Sequence, residues 1–124
     1  MKWNNKNTTT DVGRYTENLA SDYLKSQNLT LLEQNFHSKH GEIDLIMLDG
    51  NCYVFIEVKY RKNDTFGGGF SAINSTKQKK IQRSTQAYLQ QKELNEFNTE
   101  CRFDIITLIG NIEAPQITWI KNAF

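Results

Sequence analysis

The chain has 124 residues, 15 Lys plus Arg against 14 Asp plus Glu, 38% hydrophobic residues and 11% aromatics. That length suits one domain, and that apolar share supports a packed core and excludes wholesale disorder. No apolar run is long enough to span a bilayer, residues 1–10 lack the pattern of a secretory signal, and Cys52 and Cys101 form no CxxC pair, so neither a membrane partner, nor a disulfide scaffold, nor a zinc site is expected, and a reduced cytoplasmic setting is.

Residues 1–10, rich in Asn and Thr, read as a flexible tail. Asp11 or a preceding Thr can cap a helix to about Asn28, with Val12, Tyr15, Leu19 and Tyr23 at helical spacing beside Ala20 and Leu24. Leu29–Phe36 reads as a strand, and Gly41 opens a second, Glu-Ile-Asp-Leu-Ile-Met-Leu. Asp49-Gly50 is a hairpin turn signal, and Cys52–Tyr60 follows as a third strand. Residues 62–74 form a loop around Gly67-Gly68-Gly69, which is no phosphate-binding P-loop because no GxxxxGK[ST] pattern follows.

Ser75 and Gln78 have capping-box spacing, so a second helix is predicted from near Thr76 to near Lys92, with Ile81, Thr85, Tyr88 and Leu89 turned inward. Two strands, Arg102–Ile109 and Gln116–Ile120, close the chain. The order of helix, three strands, helix and two strands predicts an α/β domain with a central mixed five-stranded sheet flanked by helices.

Charge is distributed unevenly. Seven basic residues and one acid lie between Lys59 and Arg83, leaving +6 there; eight basic residues and thirteen acids elsewhere leave −5. Such asymmetry marks either a surface for an anionic partner or a solvated helix face.

Within the strands, some charges look misplaced. Cys52–Ile56 is apolar on both faces, yet Glu57 and Lys59 continue one of those faces. On the preceding strand, alternation puts Glu42, Asp44, Ile46 and Leu48 on one side and Ile43, Leu45 and Met47 on the other. A two-residue Asp49-Gly50 loop makes Asp44 and Glu57 diagonal neighbours, roughly 7–8 Å apart at Cα. A four-residue loop places them directly opposite, and a three-residue loop separates them onto different faces. Converging carboxylates suit Mg²⁺ or Mn²⁺, with Lys59 emerging beside them; a structural ion-pair cluster at a sheet edge is the alternative. Glu17, on the rim of the first helix's apolar stripe, faces either the sheet or water, and Lys77, in the second helix's first turn, either points inward or is a surface lysine. His37, His40 and Glu42 match no standard zinc spacing.

Asp44 followed by Glu57-Val58-Lys59 resembles the D…ExK core of the PD-(D/E)xK nuclease superfamily. More narrowly, the chain resembles the YraN family of uncharacterised bacterial proteins. The stretches that match are Gly13-Arg14 with Glu17 and Ala20, Tyr23-Leu24, Asn35, Gly41–Ile46, Val54–Arg61, Lys77, Arg102-Phe103-Asp104 and Asn122-Ala123-Phe124. The resemblance implies a restriction-endonuclease-like fold over residues 11–124, similar in plan to archaeal-type Holliday-junction resolvases. It further implies a Mg²⁺-dependent endonuclease in which Asp44 and Glu57 bind the metal, Lys59 activates water, Glu17 completes the site and Lys77 lies near the phosphate. Ile43 stands where many members of the superfamily carry Pro. Arg61, Lys62, Lys77, Lys79, Lys80 and Arg83 are the candidate nucleic-acid contacts, with DNA favoured over RNA; a binding module without turnover is the alternative. A homodimer would suit a symmetric substrate.

Overall fold

The computed structural model describes residues 9–63 and 73–124, so the glycine-rich loop prediction and most of the predicted tail lie outside the described residues. Seven elements follow in chain order: α1 (Thr9–Ser26), β1 (Thr30–Ser38), β2 (Gly41–Asp49), β3 (Cys52–Arg61), α2 (Ser75–Gln91), β4 (Cys101–Ile109) and β5 (Gln116–Ile120). The strands form one sheet in the order β1-β2-β3-β4-β5. β3 and β4 are parallel and joined through α2, while the other pairs are antiparallel, giving the predicted mixed sheet and a restriction-endonuclease-like plan.

Each helix covers one face. Ala20 and Leu24 of α1 pack with Leu45, Met47, Val54, Ile56, Ile106 and Leu108. Tyr88 and Leu89 of α2 pack with Phe36, Ile43, Ile46 and Phe55, and Ile81 packs with Ile105. Val54 and Phe55, adjacent in β3, are 0% and 1% exposed, which accounts for a strand apolar on both sides.

Several boundaries differ from the sequence reading for local reasons. α1 starts at Thr9, which places Asp11 inside the first turn, where an acid suits the helix dipole, and takes Thr9 and Thr10 out of the tail. It ends at Ser26 because Asn28 adopts φ 72° and the Leu29 amide donates back to the Leu24 carbonyl. At α2 the N-cap is Asn74, whose side chain accepts from the Lys77 amide, while Gln78 donates to the Ile73 carbonyl; the cap lies one residue before the predicted capping box.

The β2–β3 turn is Gly50-Asn51, not Asp49-Gly50. Gly50 takes φ 62°, and Asp49 pairs with Cys52 and Leu48 with Tyr53. This is the register that aligns Asp44 with Glu57. The ladder, however, runs only from Asp49↔Cys52 to Leu45↔Ile56.

Strand alternation also fails at this point. Ile43 packs with Ile46 on the α2 side, while Leu45 packs on the α1 side, so Ile43 does not share a face with Leu45 and Met47 as alternation predicts. A matching irregularity is visible across the ladder. Asn35, between the pairs Gln34↔Leu45 and Phe36↔Ile43, has φ 56°, a conformation rare for non-glycine residues. The irregular residue Asn35 thus lies opposite the point at which β2 changes sides between Ile43 and Leu45, and Asp44 sits there, where β2 parts from β3.

Candidate functional site

The parting of β2 from β3 exposes a backbone donor, and Asp44 takes it. Asp44 Oδ2 accepts from the Val58 amide at 2.8 Å. Val58 and Tyr60 pack with the α1 side, so Glu57 and Lys59, which alternate with them, face α2. On that side Lys77 Nζ lies 2.6 Å from Glu57 Oε1; the lysine side chain is 49% exposed and the glutamate 11%. Lys77 thus reaches inward from an exposed helix position, the first of the two orientations its spacing allows.

On the α1 side, among the described residues, Glu17, Glu42 and Asp44 bring one carboxylate oxygen each within 4.8 Å of one another. Glu17 Oε1 is buried without a hydrogen-bond partner. Glu42 Oε2 lies 3.3 Å from His37 Nδ1. Asp44 therefore stands between two acids on the α1 side and the Glu57–Lys77 pair on the α2 side. Glu42 is the carboxylate that alternation misassigns: it was expected on the side of Ile46, and it lies instead beside Glu17.

The electrostatics follow from this crowding. Burial, then the Glu57 carboxylate, push the Asp44 acid up to about 8; the Val58 amide opposes this, and Glu17 and Glu42 add to it. Glu17 is raised by burial and further by the Glu42 carboxylate, while the neighbouring polar side chains of Asn35, Gln34 and Asp44 oppose this. Lys59 is lowered by burial and by the Lys77 charge, against the pull of Glu57. Burial alone would lower Lys77, but its bond to Glu57 outweighs that and the ammonium form is favoured.

A divalent cation fits this donor set. Hard carboxylate oxygens cluster, one of them buried and unpartnered, and the central acid is held against ionisation until positive charge arrives. Glu17 and Asp44 would hold Mg²⁺ or Mn²⁺ with Glu42 within reach, while Glu57 lies outside this cluster, paired with Lys77 on the α2 side, and would join only by exchanging Lys77 for the cation.

The predicted basic contacts divide by position. Arg61 and Lys62 are exposed at the end of β3, and Lys77, Lys79, Lys80 and Arg83 are exposed on α2. Lys80 also lies against the β1–β2 turn: a Cβ placed on Gly41, which has φ +140°, would sit 3.8 Å from the Lys80 Cβ.

Two matching stretches serve the scaffold. Asp104 is 0% exposed and accepts from Arg102 Nε at 3.0 Å, Trp119 Nε1 at 2.9 Å and the Asn122 amide at 3.0 Å. Arg102 also reaches Asp49 at 3.1 Å, and Phe103 stacks on Phe124 with centroids 5.0 Å apart. This network pins the C-terminus and the β2–β3 turn to β4.

The family model "Uncharacterised protein family UPF0102" matches residues 16–108. A UPF0102 protein of Colwellia psychrerythraea is 54% identical over the whole of both chains. Those of Shewanella sediminis and Legionella pneumophila (strain Corby) are 41% and 43% identical, over the whole of both chains and over 94% of this chain and 96% of the relative, respectively. Among the described residues, no helix is long and apolar enough to cross a membrane.

Proposed function

The chain belongs to the UPF0102 family, and we propose that it is a divalent-metal-dependent phosphodiesterase acting on nucleic acid, with structured or branched DNA as its substrate class. The observation that carries this reading is the buried, unpartnered Glu17 Oε1 beside an Asp44 acid held near pH 8, an arrangement that a cation completes. Bound there, Mg²⁺ or Mn²⁺ would neutralise charge that develops on the scissile phosphate and lower the pKa of attacking water. Asp44 and Glu57 would hold the cation, Glu57 by exchanging Lys77 for it, and Glu17 would complete the carboxylate set. Lys59, on the same side of β3 as Glu57, orients the attacking water. Lys77 donates to a phosphate oxygen. Arg61, Lys62, Lys79, Lys80 and Arg83 hold the flanking backbone as point charges.

A second reading, a nucleic-acid-binding module without turnover, is favoured by the Lys77–Glu57 pair, which supplies a cation to the acids from within the chain. Mg²⁺-dependent cleavage of branched, nicked and single-stranded substrates by wild type and Asp44→Ala tests the first reading; equal activity in both removes Asp44 from the chemistry. Calorimetric Mg²⁺ binding that depends on Asp44 and Glu57 separates the two.

A further inference from the structure

Beside the acids, on the α1 side, lies a cleft of about 440 Å³ lined by Gly13, Arg14 and Glu17 of α1, Asn35 and His37 of β1, and Glu42 of β2. We infer that this cleft seats one unpaired nucleotide base next to the cleaved phosphate, so that the substrate class is nucleic acid with an unpaired nucleotide at the scissile step. The inference rests on the phosphodiesterase reading above and adds what lies beside the reacting group.

Three observations carry it. The first is size. The cleft falls in the lower part of the range that small-ligand pockets occupy, and a base still paired within a duplex cannot enter it.

The second is charge. Glu17 and Glu42 line the cleft and repel phosphate, but carboxylates accept well from the exocyclic amino groups of bases. Arg14 and Asn35 add donors for base edges, and the Arg14 guanidinium and the His37 ring, whose Nδ1 lies on Glu42, add two flat surfaces for stacking, the combination used to hold unstacked bases.

The third is Gly13. Glycine is a poor residue for a helix interior, yet Gly13 sits within α1 and is not among the positive-φ residues. A Cβ built there meets nothing within 4 Å among the described residues, so internal packing does not require glycine. What the missing side chain does is keep the cleft wall flat for close approach from outside.

The test compares a fork, with 2-aminopurine at the first unpaired position, against the matching duplex, binding being measured in Ca²⁺. Wild type is expected to favour the fork by about tenfold or more, because the duplex must first lose a base pair, and to change the 2-aminopurine emission. Gly13→Leu, which fills the cleft with a better helix former, is expected to bring the two affinities within about twofold of each other. Its Tm should be equal or higher and its calorimetric Mg²⁺ affinity unchanged. Arg14→Ala, at an exposed position, is a second variant expected to reduce the preference should Gly13→Leu fail to fold.

Equal affinity of wild type for fork and duplex overturns the inference, as does a fork preference undiminished in a folded Gly13→Leu protein. Failure to bind either substrate overturns it together with the nucleic-acid reading. A fork preference that Gly13→Leu abolishes, with no hydrolysis in Mg²⁺, supports the cleft assignment and removes only the phosphodiesterase activity.

Discussion

Asp44 reaches across the gap between β2 and β3 and accepts a 2.8 Å hydrogen bond from the Val58 backbone amide, so a carboxylate occupies a position that a strand carbonyl would fill in an unbroken ladder. The bond fixes the acid between Glu17 and Glu42 on one side and Glu57 on the other.

The metal-free protein should lose stability as pH rises through the Asp44 titration. The acid titrates near 3.8 in the unfolded chain and near 8 in the folded one, so between these values the folded state binds more protons. The contribution of Asp44 to stability is then greatest below about pH 4 and falls toward pH 8. Asp44→Asn, which can still accept from Val58, removes this slope and should raise stability at pH 8 by on the order of 2–5 kcal/mol while abolishing Mg²⁺ binding. In wild type, Mg²⁺ affinity should rise by up to about tenfold per pH unit below pH 8 as the proton it displaces is held less tightly. Denaturant melts at pH 5 and 8, with calorimetry of Mg²⁺ binding at the same values, check both; a pH-independent affinity would disconnect Asp44 from the cation.

Lys77 and a metal ion should compete for Glu57. The lysine lies 2.6 Å from a glutamate side chain that is only 11% exposed, so Lys77→Met leaves a nearly buried carboxylate unpaired beside Asp44. Because Lys77 is itself half exposed, the loss without metal should be about 1 kcal/mol or less. Added Mg²⁺ should raise the Tm of Lys77→Met more than that of wild type, since no ammonium has to be displaced. Equal Mg²⁺-induced shifts in thermal scans would show that Lys77 and the cation do not share the carboxylate.

Much of this was legible in the chain because strand alternation and helical spacing are local rules. They place Glu57 and Lys59 on one side of β3 and the helices on opposite faces, and they allow Lys77 to face inward. The Gly50-Asn51 turn was misread because Asp49-Gly50 satisfies the same requirement for positive φ; both turns give registers of the same parity, so that error shifted the direct partners by two residues and left the residues that share a face unchanged. Asn35 could not be read in this way. Asn tolerates a left-handed conformation better than most residues, but nothing in Gln-Asn-Phe demands one in mid-strand. Since β2 changes sides between Ile43 and Leu45, the alternation rule misplaced Ile43 and Glu42, and Glu42's approach to Glu17 stayed hidden. Asp104 carried no chemical motif, and only its complete burial among donors reveals it as structural.

Asp104→Ala should be among the most destabilising single changes in the chain. It leaves Arg102, whose side chain is 15% exposed, with only Asp49, and strands the Trp119 Nε1 and Asn122 donors. Breaking one side of a buried charged network costs about 3–5 kcal/mol. Urea unfolding monitored by Trp fluorescence measures it. A loss below about 1 kcal/mol would mean that the C-terminal residues stay docked without the carboxylate, and that the Phe103–Phe124 stack alone holds them.

If nucleic acid lies along α2, its affinity should fall with salt in proportion to the phosphates contacted. Lys79 and Arg83 are one helical turn apart, exposed, and outside the ion pair that Lys77 makes. Replacing either by Gln should reduce the slope of log K against log salt by about 1 and weaken binding to all sequences alike, because a phosphate contact carries no base information. The Gly13→Leu exchange should leave that slope unchanged and alter only the preference for unpaired substrate, since its effect is steric and not ionic. Fluorescence anisotropy titrations between 50 and 200 mM salt separate the two, and a slope unmoved by the Lys79 and Arg83 changes would place the strand off this helix and toward Arg61 and Lys62 at the end of β3.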